Sequence, residues 1–203
     1  MKQLRQYIRQ VLLTEAAKGA ADIPDGYFII MRTEGNEWAR WEFVKGNPNY
    51  YEKAYHPDLV YGHMDIGKVH KDRYGNCLDA WMVRMSKAKD GFGPMLYDVA
   101  IEYATKMGSG LISDRGGSTP AAQAVWDHYY QNRVGSDIEM EQLDNEDDSF
   151  RNGLKDDCDQ DTARATITGM YDTWEDSALS KIYKKSADTT IQELEGSGKL
   201  VRL

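Results

Sequence analysis

The sequence predicts a mixed α/β (α+β) domain over residues 25–145, and three observations carry that prediction. Short runs rich in aromatic and β-branched residues, punctuated by glycine, proline and asparagine, fill residues 27–85. A helix-periodic stretch then follows the glycine pair Gly91 and Gly93. A second helix signal starts at Ser118-Thr119-Pro120, a hydroxyl cap followed by a proline where a missing N–H does no harm. A chain of 203 residues holds one such domain with extra segments at its ends.

Taken in order, residues 2–15 read as a basic amphipathic helix. Leu4, Ile8 and Leu12 repeat on one face, and Lys2, Arg5 and Arg9 line another. Residues 16–25 are small and polar, a linker, so 1–24 forms a helix-and-linker unit ahead of the domain. Strands are expected at 27–32, at 38–44 with Trp41 and Phe43 on one face, and at 60–69. A loop spans 46–57, where Asn47-Pro48-Asn49 is turn chemistry. A turn around Gly75 leads to a fourth strand at 77–85, apolar on both faces and therefore covered on both.

The helix at 95–107 turns Leu96, Val99, Ala100, Tyr103 and Ala104 inward, and Gly108 and Gly110 end it. A short strand is expected at 110–114. The helix at 121–130 buries Ala124, Val125 and Tyr129, and a last strand lies at 138–143. Beyond 146 the chain reads as an acidic segment and a helical extension. One short helix there holds Leu179, Ile182 and Tyr183, and another covers 189–195 with Asp188 as its cap.

Composition narrows the function classes. The net charge of -8 opposes non-specific binding of nucleic acid. It is concentrated between Asp137 and Asp161, where eleven acids face Arg151 and Lys155. No apolar run approaches the roughly 20 residues that cross a bilayer, and the N-terminus has no signal-peptide stretch. A cytoplasmic chain with no membrane partner is expected. Cys77 and Cys158 give no disulfide framework and no zinc spacing, and read as two free thiols in a reducing compartment.

The chemistry-bearing unit is 77–133: strand, Gly-x-Gly, helix, strand, Ser-Thr-Pro, helix. A helix N-terminus presents unpaired N–H groups and partial positive charge, and glycines ahead of it let the backbone close on an anion. A diphosphate suits such a turn, although a plain tight strand–helix turn would read the same way. Gly91, Gly93 and Leu96 do not make the dinucleotide fingerprint, and the phosphate-loop pattern is absent from this turn.

The stretch MVRMSKAKDGFGPMLYDVAIEYATKMGSGLISDRGGSTPAAQAVWDHYY resembles the coenzyme-A-binding core of the GNAT superfamily of N-acetyltransferases. That family joins a bulged strand to a [Q/R]-x-x-G-x-[G/A] turn and a helix, then a strand and a tyrosine-bearing helix. The resemblance covers about residues 80–145, and 27–85 loosely as the preceding strands. It implies a mixed, mostly antiparallel twisted sheet flanked by helices, and acetyl-coenzyme A as the acyl donor. The turn formed by Lys89, Asp90, Gly91, Phe92, Gly93 and Met95 would hold the diphosphate. The strand edge at Val83 and Met85 would pair with the pantetheine arm. Tyr129 or Tyr130 would reprotonate the leaving thiolate. Two positions depart from the pattern: Ala88 stands at the [Q/R] position, and Pro94 removes one N–H.

Other signals are weaker. Asp65, Asp79 and Glu102 have the chemistry of a general base, and also that of exposed or capping residues. His63 and Asp65 share a strand face while His70 does not, so no metal site is expected. Asp157, Asp159 and Asp161 imitate the start of a calcium loop, but Thr162 and Thr168 stand where glycine and glutamate are required. The link Asp114 to Ser118 reads equally as a cleft-lining segment and as a plain loop. Leu13-Thr14-Glu15 followed by Ala16 is similar to the cleavage sites of prohead proteases of large tailed phages. That similarity implies a phage-encoded chain with a removable packaging peptide.

The leading expectation is an acetyl-coenzyme-A-dependent N-acetyltransferase acting on an amine of a protein or small molecule. The alternative is a catalytically inactive GNAT-like phage protein that binds a virion partner, a host protein or a second copy of itself. A toxin-like or antidefence acetyltransferase is a third reading that the sequence does not separate from the first.

Overall fold

A computed structural model describes residues 17–51, 60–71, 75–144, 158 and 175–203. The amphipathic helix expected over 2–15, the protease-site tripeptide, the calcium-like aspartates and most of the acidic segment lie outside the described residues.

Eight strands form a single mixed sheet: β1 (Tyr27–Glu34), β2 (Trp38–Lys45), β3 (Val60–Lys68), β4 (Trp81–Ala88), β5 (Leu111–Ile112), β6 (Glu139–Gln142), β7 (Lys181–Lys184) and β8 (Leu200–Arg202). Their spatial order is β6-β7-β5-β4-β3-β2-β1-β8. The β4–β5 and β1–β8 pairs are parallel, and the other neighbours are antiparallel. Among the described residues there are three α-helices: α1 (Gly93–Met107), α2 (Pro120–His128) and α3 (Thr189–Gly196).

The alternation of the strand residues sets the two faces of the sheet. Ile29, Met31, Trp41, Phe43, Met64, Ile66, Trp81 and Val83 point to the side where α1 lays down Leu96, Val99, Ala100 and Tyr103. Tyr103 meets Trp41 and Trp81 edge-on, with ring centroids 5.2 and 5.3 Å away. All three helices contribute to this cluster. Ile30, Val44 and Tyr51 form a smaller cluster elsewhere, and Val69, Cys77, Ala80, Met82, Ile112 and Ile182 a third.

Several expectations need correction. The fourth strand begins at Trp81, because Cys77, Leu78 and Asp79 form a turn with φ of 42°, 51° and 60°. Three consecutive non-glycine residues in this region cost roughly 1–2 kcal/mol each, and no strand can include them. Neither cysteine is free: Cys77 and Cys158 form a disulfide across 81 positions of sequence. Cys158 is held beside the turn at both main-chain atoms. Its N–H donates to Asp144 Oδ1 at 2.6 Å, and its carbonyl accepts from Arg115 Nη1 at 3.0 Å.

The segment holding Leu179, Ile182 and Tyr183 is not a helix. It is a short 3-10 turn (Ala178–Ser180) followed by β7, which lies between β5 and β6. Gly110, with φ of 127°, permits this approach; a Cβ there would lie 2.5 Å from the Tyr183 carbonyl oxygen. Because β7 and β8 both belong to the sheet, the sheet continues past the boundary drawn at residue 145. The strand expected at 110–114 pairs only at Leu111–Ile112, and α2 gives way to a π-turn at Tyr129–Arg133. No helix among the described residues is long and apolar enough to cross a membrane.

Candidate functional site

The site arises where β4 and β5 part. They pair at Trp81–Leu111 and Met82–Ile112 and no further. After Ile112 the chain turns away through Asp114 to the start of α2, while β4 continues to Ala88. At the same place β4 is irregular. Asp65 of β3 pairs with Met85 and Ile66 with Val83, so Arg84 is an extra residue, a bulge that re-aims the strand.

The divergence leaves a cleft of about 180 Å³. One wall is β4 from Val83 to Ser86. The floor carries Tyr97 of α1 and Trp126 of α2, whose rings meet edge-on at 5.2 Å. The far wall is Asp114 and Gly117 to Thr119, with Ala122 above it. This wall is ordered by its own polar groups. Asp114 Oδ1 accepts the Gly117 N–H at 3.1 Å, Ser118 Oγ donates to the Asp114 carbonyl at 2.7 Å, and Thr119 Oγ1 caps α2 by accepting from Ala122. Of the link, Asp114, Gly117 and Ser118 line the cleft, while Arg115 is buried against Asp144 and Cys158.

At the end of β4 the chain enters α1 through a glycine turn. Gly91 has φ of 83°, a conformation that suits a residue without a Cβ. Among the described residues, the N–H groups of Gly91, Gly93 and Met95 have no hydrogen-bond partner. Pro94 supplies none. The Phe92 side chain is buried against Phe43 at 4.7 Å, so only its main chain faces the turn. Lys89 lies over Tyr61 and Asp90 is exposed. Lys18, not singled out from the sequence, arrives here as well. Its N–H donates to the Gly91 carbonyl at 3.0 Å and its ammonium lies 4.9 Å from the Phe92 ring.

Thus Val83 and Met85 stand on the cleft, with Met85 exposed, and Lys89 to Met95 form the adjoining helix mouth. The two expected acids are elsewhere. The Tyr129 hydroxyl is buried between the Pro94 carbonyl at 3.0 Å and Asp98 Oδ1 at 2.7 Å. Burial and the Asp98 carboxylate push its pKa well above the ordinary tyrosine value. Tyr130 is half-buried with the Lys181 ammonium over its ring. Neither lines the cleft. The tyrosine that does is Tyr97, which bonds Ser86 Oγ at 3.2 Å and whose pKa burial also raises. Its signal was in the sequence: Tyr97 lies one helical turn past Gly93 and so shares its face.

The three carboxylates with base-like chemistry are committed to ion pairs. Arg40 chelates Asp65, with Nε at 2.5 Å. Asp79 bonds Lys68 at 2.8 Å and Lys71 at 3.4 Å, and the Lys68 hydrogen bond lowers its pKa. Glu102 lies on α1 and caps α3. His63 and Asp65 share a face as expected, but Asp65 is occupied by Arg40; burial lowers the His63 pKa.

No protein-family model matches the chain, and neither a curated protein nor a solved structure does.

Proposed function

We propose that this protein is a GNAT-like acyltransferase that moves an acetyl group from acetyl-coenzyme A to an amine. The observation that carries this reading is the two-residue β4–β5 pair that splays into a cleft beside the open N-terminus of α1. A bulged strand, a glycine turn and a helix in that order supply the two things such a donor needs. The unpaired N–H groups of Gly91 and Gly93, with Lys18 and Lys89 nearby, suit a diphosphate. Past its pairing with β5, the β4 strand is exposed at Met85, a place suited to an amide-bearing arm and a developing oxyanion. Acetyl-coenzyme A supplies a thioester that an amine can attack. Trp126 and Tyr97 line the cleft with aromatic surface.

A second reading is a non-catalytic protein on the same scaffold. It is favoured by the position of Tyr129, which is withdrawn from the cleft and committed to Asp98.

Calorimetry with coenzyme A tests the first reading. Binding is expected, and Ala122→Trp, which fills the cleft from α2, should weaken it at least tenfold, about 1.4 kcal/mol, with an unchanged melting temperature. Absence of heat and of thermal shift at millimolar coenzyme A would refute the transferase.

A further inference from the structure

Resting on the acetyltransferase reading, we propose that the hydrogen-bonded hydroxyls of Tyr97 and Ser86, and not Tyr129, form the group that returns a proton to the leaving sulfur of the acyl donor.

Four hydroxyls line the cleft, those of Ser86, Tyr97, Ser118 and Thr119. Ser118 donates its proton to the Asp114 carbonyl, and Thr119 Oγ1 is held at the N-cap of α2 by the Ala122 N–H. Tyr129 is outside the cleft and would have to abandon Asp98 and the Pro94 carbonyl to reach it. Arg133 also bonds Asp98, at 3.2 Å, so the Tyr129 hydroxyl belongs to a fixed ionic network. Tyr97 has no such tie. Its hydroxyl reaches from α1 to β4 and, among the described residues, hydrogen-bonds Ser86 Oγ at 3.2 Å.

Ser86 directly follows Met85, on the strand edge assigned to the pantetheine arm. It is exposed while Tyr97 is buried, so the pair joins the cleft interior to solvent. A buried tyrosine stays protonated at neutral pH and can donate; the exposed serine can resupply it.

The amine nitrogen bonds to the carbonyl carbon, and the carbon–sulfur bond breaks with its electron pair on sulfur. The Tyr97 hydroxyl proton passes to that sulfur, and Tyr97 regains a proton from water through Ser86. The surplus proton on the new amide nitrogen leaves to solvent.

A hydroxyl placed to donate to sulfur should favour the thiolate, and this can be read without knowing the acceptor. The charged groups that line the cleft are Arg84 on β4 and Asp114 in the loop. The coenzyme thiol, like a free cysteine, ionises near about 8.5. Calorimetry on the full chain should show coenzyme A binding about tenfold tighter at pH 9.5 than at pH 7, as expected for a hydrogen bond to a charged acceptor. Tyr97→Phe should lose that gain at an unchanged melting temperature, and Tyr129→Phe should keep it. Desulfo-coenzyme A should show no gain with the wild-type chain. Equal pH dependence in wild type and Tyr97→Phe overturns the assignment while leaving the transferase standing. Loss of the gain in Tyr129→Phe alone does the same. A wild-type chain that binds no coenzyme A removes both.

Discussion

Replacing Cys77 and Cys158 together by alanine should lower unfolding free energy by about 4.5 kcal/mol, on the chain-entropy account of a cross-link. The figure is large because the bond closes 81 positions of sequence. That loop contains β4, α1, β5, α2 and β6, the whole of the cleft. Both cysteines are fully buried in the cluster with Met82 and Ile112, the residues at which β4 and β5 still pair. The disulfide thus ties together the elements whose divergence makes the site. It also fixes the three-residue left-handed turn ahead of β4. Urea unfolding with and without reductant measures the effect. Reduced wild-type protein should unfold near the midpoint of the double variant, and the native chain should titrate no free thiol. Two reactive thiols in native protein, or a midpoint indifferent to reductant, would contradict the prediction.

Glu102→Gln should cost about 3 kcal/mol, the lower end for breaking a buried ion pair. Glu102 has no exposed surface. Its two oxygens accept from the N–H groups of Thr190 at 2.9 Å and Ile191 at 2.8 Å, at the N-terminus of α3. Lys185, itself buried, donates to it at 2.8 Å. Glutamine keeps the shape, but its NH2 group faces N–H donors and the lysine loses its nearest carboxylate. Asp98 and Asp137 remain 3.9 and 3.8 Å from Lys185 and recover little. Glu102→Ala should cost more, since it also leaves a cavity. Chemical denaturation measures both variants. If either lies within about 0.5 kcal/mol of wild type, the ordinary range for surface changes, the cap is not as described.

Both predictions concern contacts that no local pattern announces. The sequence offers Asp188 as the cap of α3, and it does stand at the N-cap position. Its side chain makes no cap bond there; Glu102 does that work from 89 residues away at Ile191. A capping rule reads four neighbouring residues, so it cannot see a carboxylate on another helix. The same reason hid the disulfide. Two cysteines in a chain of this size give no spacing pattern, and only the fold brings Cys158 back to Cys77.

Where the signal was local, it was legible. The glycine turn and α1 lie where Gly91, Gly93 and the apolar face placed them, and α2 starts at the Thr119 cap with Pro120 first. Strands β1 to β3 match their aromatic and β-branched runs within two residues. The segment at Leu179, Ile182 and Tyr183 reads as a helix in sequence because a run of four strand residues is too short to distinguish two periodicities. Its place between β5 and β6 decided the matter.

By itself the sequence determined the mixed α/β class, the strand–turn–helix unit and the helix mouth that could face an anion. These depend on side-chain periodicity, capping and glycine φ freedom, all exercised over a few residues. The tertiary structure alone decided that β4 and β5 part after two pairs, that Tyr97 lines the resulting cleft while Tyr129 does not, and that Glu102 caps a distant helix. Each of those depends on which surfaces pack together, and packing is set by residues far apart in the chain.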